Sequence, residues 1–174
     1  MPARFRIGFE VSDNSGWADV LVADGATELR MTISRVGDSE LVGDLVNAAI
    51  GALRGRSESR FGWMDEPGEW TWLIRRRGDR VEVEVMFFEE WRETWHDERA
   101  GARVFHASVP VAAFARAALR AADRVRVDPG EDEYARRWRA SFPAEALERL
   151  RSLFGEHRAA LKRPSQALTQ TSDP

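Results

Sequence analysis

Two runs of alternating apolar and polar residues, Gly16 to Ala23 and Ala26 to Ser34, meet at Asp24-Gly25. That arrangement constrains the fold of this chain more than any other feature. An Asp-Gly pair is favoured in two-residue hairpin turns because both positions need positive φ. Taking Asp24-Gly25 as the loop pairs Val22 with Thr27, Val20 with Leu29 and Ala18 with Met31 on one face. The other face pairs Leu21 with Glu28 and Asp19 with Arg30, so one side is apolar and the other polar, as a one-sided sheet requires. A second hairpin repeats the logic. With Gly78-Asp79 as its loop, Ile74 faces Val83, Trp72 faces Val85 and Trp70 faces Phe87, while Arg75 faces Glu82, Leu73 faces Glu84 and Thr71 faces Met86.

The remaining elements follow from period and turn chemistry. Phe5, Ile7, Phe9 and Val11 mark a first strand, Glu58 to Met64 a fourth, and Arg103 to Ser108 a seventh. Asp65-Glu66-Pro67-Gly68 is a turn. Leu41, Val42, Leu45, Val46, Ala49, Ile50 and Leu53 form the stripe of a helix that Asp38 or Ser39 can cap and that Gly55 can end. A helix begins after Pro110, a short one opens at Asp128-Pro129-Gly130-Glu131 with capping-box spacing, and a last one follows Ser141-Phe142-Pro143. Its apolar face includes Leu147, Leu150, Phe154 and Leu161. The order βββαββββααα predicts an α+β domain over residues 1–162: an antiparallel sheet of about seven strands with helices packed on one face. Residues 163–174 are polar and unpatterned and read as a disordered tail.

Composition narrows the function classes. With no cysteine, the chain has neither a disulfide framework nor a thiolate for catalysis or metal binding. A net charge of -3 argues against general nucleic-acid or anionic-membrane binding. No apolar run is long enough to span a bilayer and no signal-peptide core is present, so a cytoplasmic protein is expected. Charge is unevenly spread: residues 1–110 carry 14 Arg against 20 Asp and Glu, and residues 111–163 carry 12 basic against 8 acidic groups. Either basic helices lie against an acidic sheet or one helical face meets an acidic partner.

Candidate chemistry is sparse. His106 is in phase with Val104 and Ser108 on the seventh strand, His157 lies on the basic last helix, and neither has the spacing of a catalytic set. His96-Asp97-Glu98, near Glu89, Glu90 and Glu93, offers mixed imidazole and carboxylate donors but no second histidine, so no metal is expected. Phosphate-binding motifs are absent, and no cofactor is expected. The Arg75-Arg76-Arg77 and Arg80 tip is split across two faces by strand geometry. No residue is assigned a catalytic role, and the balance is against an enzyme.

The aromatics point elsewhere. Trp70 and Trp72 fall on the core face, whereas Trp17 falls on the outer one with Leu21, Leu73, Met86 and Phe88. These five could form a partner-binding patch rimmed by Asp19, Arg30, Arg75 and Glu84. The alternative is that the C-terminal helices or the aperiodic stretch 89–101 cover that face. A second candidate is a cleft beside that stretch, lined by Glu90, Trp91, Trp95 and His96, which would suit a small molecule or a reaction. A third use of the outer face is homodimerisation.

Gly16-Trp17-Ala18-Asp19, Asp65-Glu66-Pro67-Gly68-Glu69-Trp70 and the Trp138 to Pro143 segment resemble those of uncharacterised single-domain proteins of GC-rich actinobacteria. That resemblance carries no catalytic residue across. In size, acidity and α+β build the chain is also similar to bacterial immunity proteins, which implies a protein partner neutralised by binding. The expectation is a non-catalytic protein-binding domain, immunity-like or accessory in a bacterial conflict or regulatory system.

Overall fold

A computed structural model describes residues 5–13, 16–25, 27–36, 39–90 and 97–162. Seven strands form one antiparallel sheet in sequence order: β1 (Arg6–Val11), β2 (Trp17–Asp24), β3 (Thr27–Ser34), β4 (Glu58–Asp65), β5 (Gly68–Arg77), β6 (Arg80–Phe88) and β7 (Ala102–Pro110). Helix α1 (Val42–Leu53) lies between β3 and β4. After β7 come α2 (Val111–Val125), α3 (Glu131–Trp138) and α4 (Ala144–Lys162). The class, order and strand number expected from the alternation are those observed.

The Gly78-Asp79 hairpin has the expected register, with Ile74 opposite Val83 and Arg75 opposite Glu82. The first hairpin does not. Asp24 pairs with Thr27, which puts Leu21 opposite Arg30, Asp19 opposite Thr32 and Trp17 opposite Ser34, two residues beyond the register that an Asp24-Gly25 loop implies. Gly25 takes the positive φ, 64°, and Asp24 remains in the strand. A shift of two leaves every side chain on its original face, so face sorting alone does not distinguish the two registers.

β3 and β4 share a single pair, Ser34 with Met64, so the sheet divides into a three-stranded unit, β1–β3, and a four-stranded one, β4–β7. Their inner faces converge, bringing β3 close to β7, and α2 packs on β1 as well as on β6 and β7. Val20, Val22, Ile33, Trp63, Trp72, Val83 and Phe105 line the inner face and meet Leu45, Val46, Phe114, Ala118, Leu147 and Leu150 from the helices. Phe61 stacks on Trp72 at 5.6 Å, and Trp63 lies 5.3 Å from Trp72. Burying a side chain of this size contributes about 1.5–3 kcal/mol, so this aromatic group anchors the core.

The helix ends differ from expectation in instructive ways. α1 closes as expected: Gly55, φ 87°, donates to Ala52 O while Arg56 N reaches Gly51 O, satisfying two carbonyls of the last turn. Its start is not a simple Ser or Asp cap. Leu41 occupies the cap position with φ 50°, Ser39 Oγ accepts from Leu41 N, and the Asp44 carboxylate folds back to accept from Glu40 N. The capping box expected before α3 does not form, because Gly130 stands at the cap and the helical path breaks at Asp128, φ -143° and ψ 111°. Leu161, expected on the buried face of α4, is 69% exposed.

Candidate functional site

The outer sheet face is not one surface. In the four-stranded unit its part over β4–β6 is closed by the chain itself, while Val104 and His106 on β7 stay exposed. Leu73, Met86 and Phe88 form a small apolar cluster with exposures of 0%, 7% and 4%. They are therefore not part of a binding patch, and the alternative reading, cover by stretch 89–101, holds for these three. The cover is the segment Asp97–Gly101, which crosses above them. Glu98 accepts from both Arg60 and Arg75, and Gly101 approaches the Phe88 ring so closely that an added Cβ would lie 2.6 Å from it. Arg75 also bridges Glu58 at 2.8 Å and Glu84 at 3.3 Å. These ion pairs form a lid of opposite charges over an apolar floor. Stretch 89–101 has no hydrophobic period, so its sequence did not reveal which face it returns across.

The second candidate, the cleft near 89–98, is only partly in view. Glu90 is exposed, while Trp91, Trp95 and His96 lie outside the described residues. Asp97 and Glu98 are committed elsewhere: Asp97 accepts from Arg99 N at 3.0 Å and caps a single turn of helix, and Glu98 holds the two arginines.

His106 also has a structural explanation. Glu82 sits between His106 and Ser108, accepting from Ser108 Oγ at 2.6 Å and meeting His106 Nε2 at 2.8 Å. Arg80 Nε reaches Ser108 Oγ at 3.1 Å. The Ser108 hydrogen bond and, next among the favourable contributions, the histidine hold the Glu82 carboxyl below its usual range. A serine nucleophile needs an imidazole on its hydroxyl, with the carboxylate behind the imidazole. Here the carboxylate is in the middle and His106 does not activate Ser108.

A third polar group surrounds the start of α1. Asp44 accepts from Trp63 Nε1 at 3.0 Å, Tyr134 donates to Glu40 O at 2.9 Å, and Trp138 Nε1 donates to Ser39 O at 3.2 Å. Burial pushes the Asp44 carboxyl and the Tyr134 hydroxyl above their ordinary values. These contacts tie α3 and β4 to the turn before α1, and their role is to hold the helix layer in register. Nothing in the sequence beyond a first-turn Asp marked them.

What remains open is the three-stranded unit. On its outer face Trp17 is 37% exposed and Leu21 half-buried. Around them Asp19 accepts from Thr32 at 2.8 Å, and Glu28 pairs with Arg6 at 2.9 Å and Arg30 at 2.8 Å, all exposed to solvent. Gly8, opposite Leu21, leaves empty space where a side chain would be. A cleft of about 1090 Å³ runs from this face along β1, with Gly8 to Ser12, Asp19, Leu21 and Arg30 on one wall and Arg124, Asp128, Pro129 and Arg137 on the other. Sequence alternation marked β1 as a half-buried strand. It did not show that β1 is the edge of the sheet.

By its architecture the chain belongs among α+β domains with an antiparallel sheet and one helical layer. No family model matches it, and no curated protein matches its sequence. Among solved structures it is similar to a chain of a CdiA-CT/CdiI toxin and immunity complex from Enterobacter cloacae, at 13% identity and a TM-score of 0.40, over 68% of this chain and 99% of that one. That score is too low to assign a common fold. Among the described residues no helix is long and apolar enough to cross a membrane.

Proposed function

We propose that this chain is a non-catalytic protein-binding domain that engages its partner through the outer face of β1–β3. The observation that supports this is the contrast between the two halves of the sheet. The outer face over β4–β6 is sealed by the chain's own ion pairs, whereas the β1–β3 face leaves Trp17 and Leu21 accessible beside a wide cleft. A tryptophan and a leucine framed by charged residues have the makeup of an interface centre with a polar rim.

The test is capture of a partner from the native cell by the wild-type domain, by Leu21→Asp, and by Leu161→Asp on the exposed side of α4. Leu21→Asp loses the partner and Leu161→Asp retains it, with both variants folded by circular dichroism. Retention by Leu21→Asp refutes the assignment to this face. The finer form of the reading is an immunity-like or accessory role in a bacterial conflict or regulatory system. It requires that the captured protein be toxic alone and silent when co-expressed with this domain.

A further inference from the structure

The β1 edge carries a more specific reading, which rests on the domain being a protein binder. Ser12 N donates to Trp17 O, and the β1–β2 register then makes Gly8 with Leu21 and Glu10 with Asp19 the hydrogen-bonded pairs. The N–H and C=O groups of Ile7, Phe9 and Val11 therefore point away from β2, toward the open edge. Of these, Val11 O accepts from Arg137 Nη1 at 3.0 Å. The sheet's other edge is blunted: β7 ends in Pro110 and bulges opposite Val85 and Met86, leaving Val104 out of the pairing. Bulges and prolines are standard defences against strand addition, and β1 has neither.

A groove follows the whole of this edge. A small depression of about 130 Å³ is lined by Phe5, Arg6 and Ile7, and the larger cleft continues it over Gly8 to Ser12. Its opposite wall is α2, whose only exposed strip is Arg116, Arg120 and Arg124, spaced four residues apart. Arg116 lies 6.0 Å from the Phe154 ring, and among the described residues none of the three arginines forms an ion pair. Eight residues of strand span about 27 Å. The helix from Arg116 to Arg124 rises about 12 Å, so the arginines flank somewhat less than half of that length. The far end is acidic instead, with Glu10, Asp13 and Asp128, and Asp13 is paired with Arg137 at 2.7 Å.

We propose that an extended, acidic segment of a partner protein adds to β1 as an eighth strand, with its carboxylates facing Arg116, Arg120 and Arg124. Alternate side chains of the added strand face the helix, where the arginines select Glu or Asp. The intervening side chains fall beside Gly8 and Leu21, where the free space suits an apolar residue. Three arginines of the basic C-terminal third thus line this groove without an ion pair among the described residues. Backbone N–H and C=O groups along a strand edge favour a peptide, which can pair with them as a strand, over a nucleic acid, which cannot.

The test uses the full chain and an acetylated, amidated eight-residue peptide of alternating glutamate and valine. This peptide binds, slows hydrogen exchange at the Ile7 and Phe9 amides, and loses affinity when its alternate backbone nitrogens are methylated. Arg120→Glu with Arg124→Glu weakens it at least about tenfold, while the two Lys variants stay within about threefold. Equal binding of a matching peptide of alternating lysine and valine, indifference to the Glu variants, or unchanged exchange at Ile7 and Phe9 overturns the proposal. Binding of an oligothymidylate in place of the peptide overturns it too. A partner captured through Leu21 but indifferent to the Arg120 and Arg124 reversals would sink this proposal and leave the broader reading standing.

Discussion

Replacing Gly101 by alanine probes directly whether the outer face over β4–β6 is closed. A Cβ there would lie 2.6 Å from Cε1 and Cζ of Phe88 and 3.1 Å from Cδ1, against a ring only 4% exposed. Carbon atoms prefer about 3.5–4.0 Å, so the overlap approaches 1 Å. Overpacking of this kind costs about 1–3 kcal/mol. Gly101 has an ordinary negative φ of -100°, so alanine also gains about 0.4–1 kcal/mol from a less flexible unfolded chain. The net expectation is a loss of roughly 0.5–2 kcal/mol, a fall in Tm of about 1–8 °C for a chain of this size. Shortening the ring removes the clashing atoms. In a Phe88→Leu background the same Gly101→Ala change becomes neutral or stabilising, a reversal that a double-mutant cycle by urea denaturation resolves. If Gly101→Ala stabilises the wild-type protein, Asp97–Gly101 does not lie on Phe88, and Leu73, Met86 and Phe88 return as candidates for an exposed patch.

Other consequences can be checked singly. Trp63→Phe removes the donor to Asp44 and should cost about 1–3 kcal/mol in chemical denaturation, because it leaves a buried carboxylate short of a hydrogen bond. Burial raises the Asp44 pKa from 3.8, so the folded state holds the proton more tightly than the unfolded chain. Stability from this group therefore declines as pH rises from about 4 through the folded pKa, and Asp44→Asn should flatten that decline. Hydrogen bonds from Arg136 and Arg137 hold the Glu133 carboxyl down at about 2, so its carbon-detected NMR titration should fall well below the usual carboxylate range. Its contribution is present above the usual carboxylate range and fades as pH falls through that value. Tyr134→Phe loses the bond to Glu40 O and should cost about 1 kcal/mol.

The parts of this molecule that were legible in its sequence are those governed by local period. Alternation placed Trp72, Val83 and Val85 on the inner face, and the two-residue Gly78-Asp79 loop gave the register that this hairpin adopts. At Asp24-Gly25 the same reasoning found the faces but missed the pairing by two, since an even shift moves no residue across the sheet. Trp17 and Leu21 were identified as outer-face residues and remain accessible. Leu73, Met86 and Phe88 were placed on the correct face, and of the two readings left open there, an exposed patch or cover by stretch 89–101, the second holds. What hides them is a return segment held by Glu98, and no pattern in the sequence couples Glu98 to Arg60 and Arg75. The β1 edge depends on strand order and on the path of α2, both long-range properties that period does not encode.

Residue-resolved hydrogen exchange along β1 tests most directly the claim that this domain offers an open strand edge at β1. The register directs the Gly8 and Glu10 amides into β2 and those of Ile7 and Phe9 outward. Gly8 and Glu10 should therefore be protected to near the global stability, and Ile7 and Phe9 should exchange orders of magnitude faster in the free protein. Equal protection at all four amides would mean that the edge is already occupied, and would contradict the account.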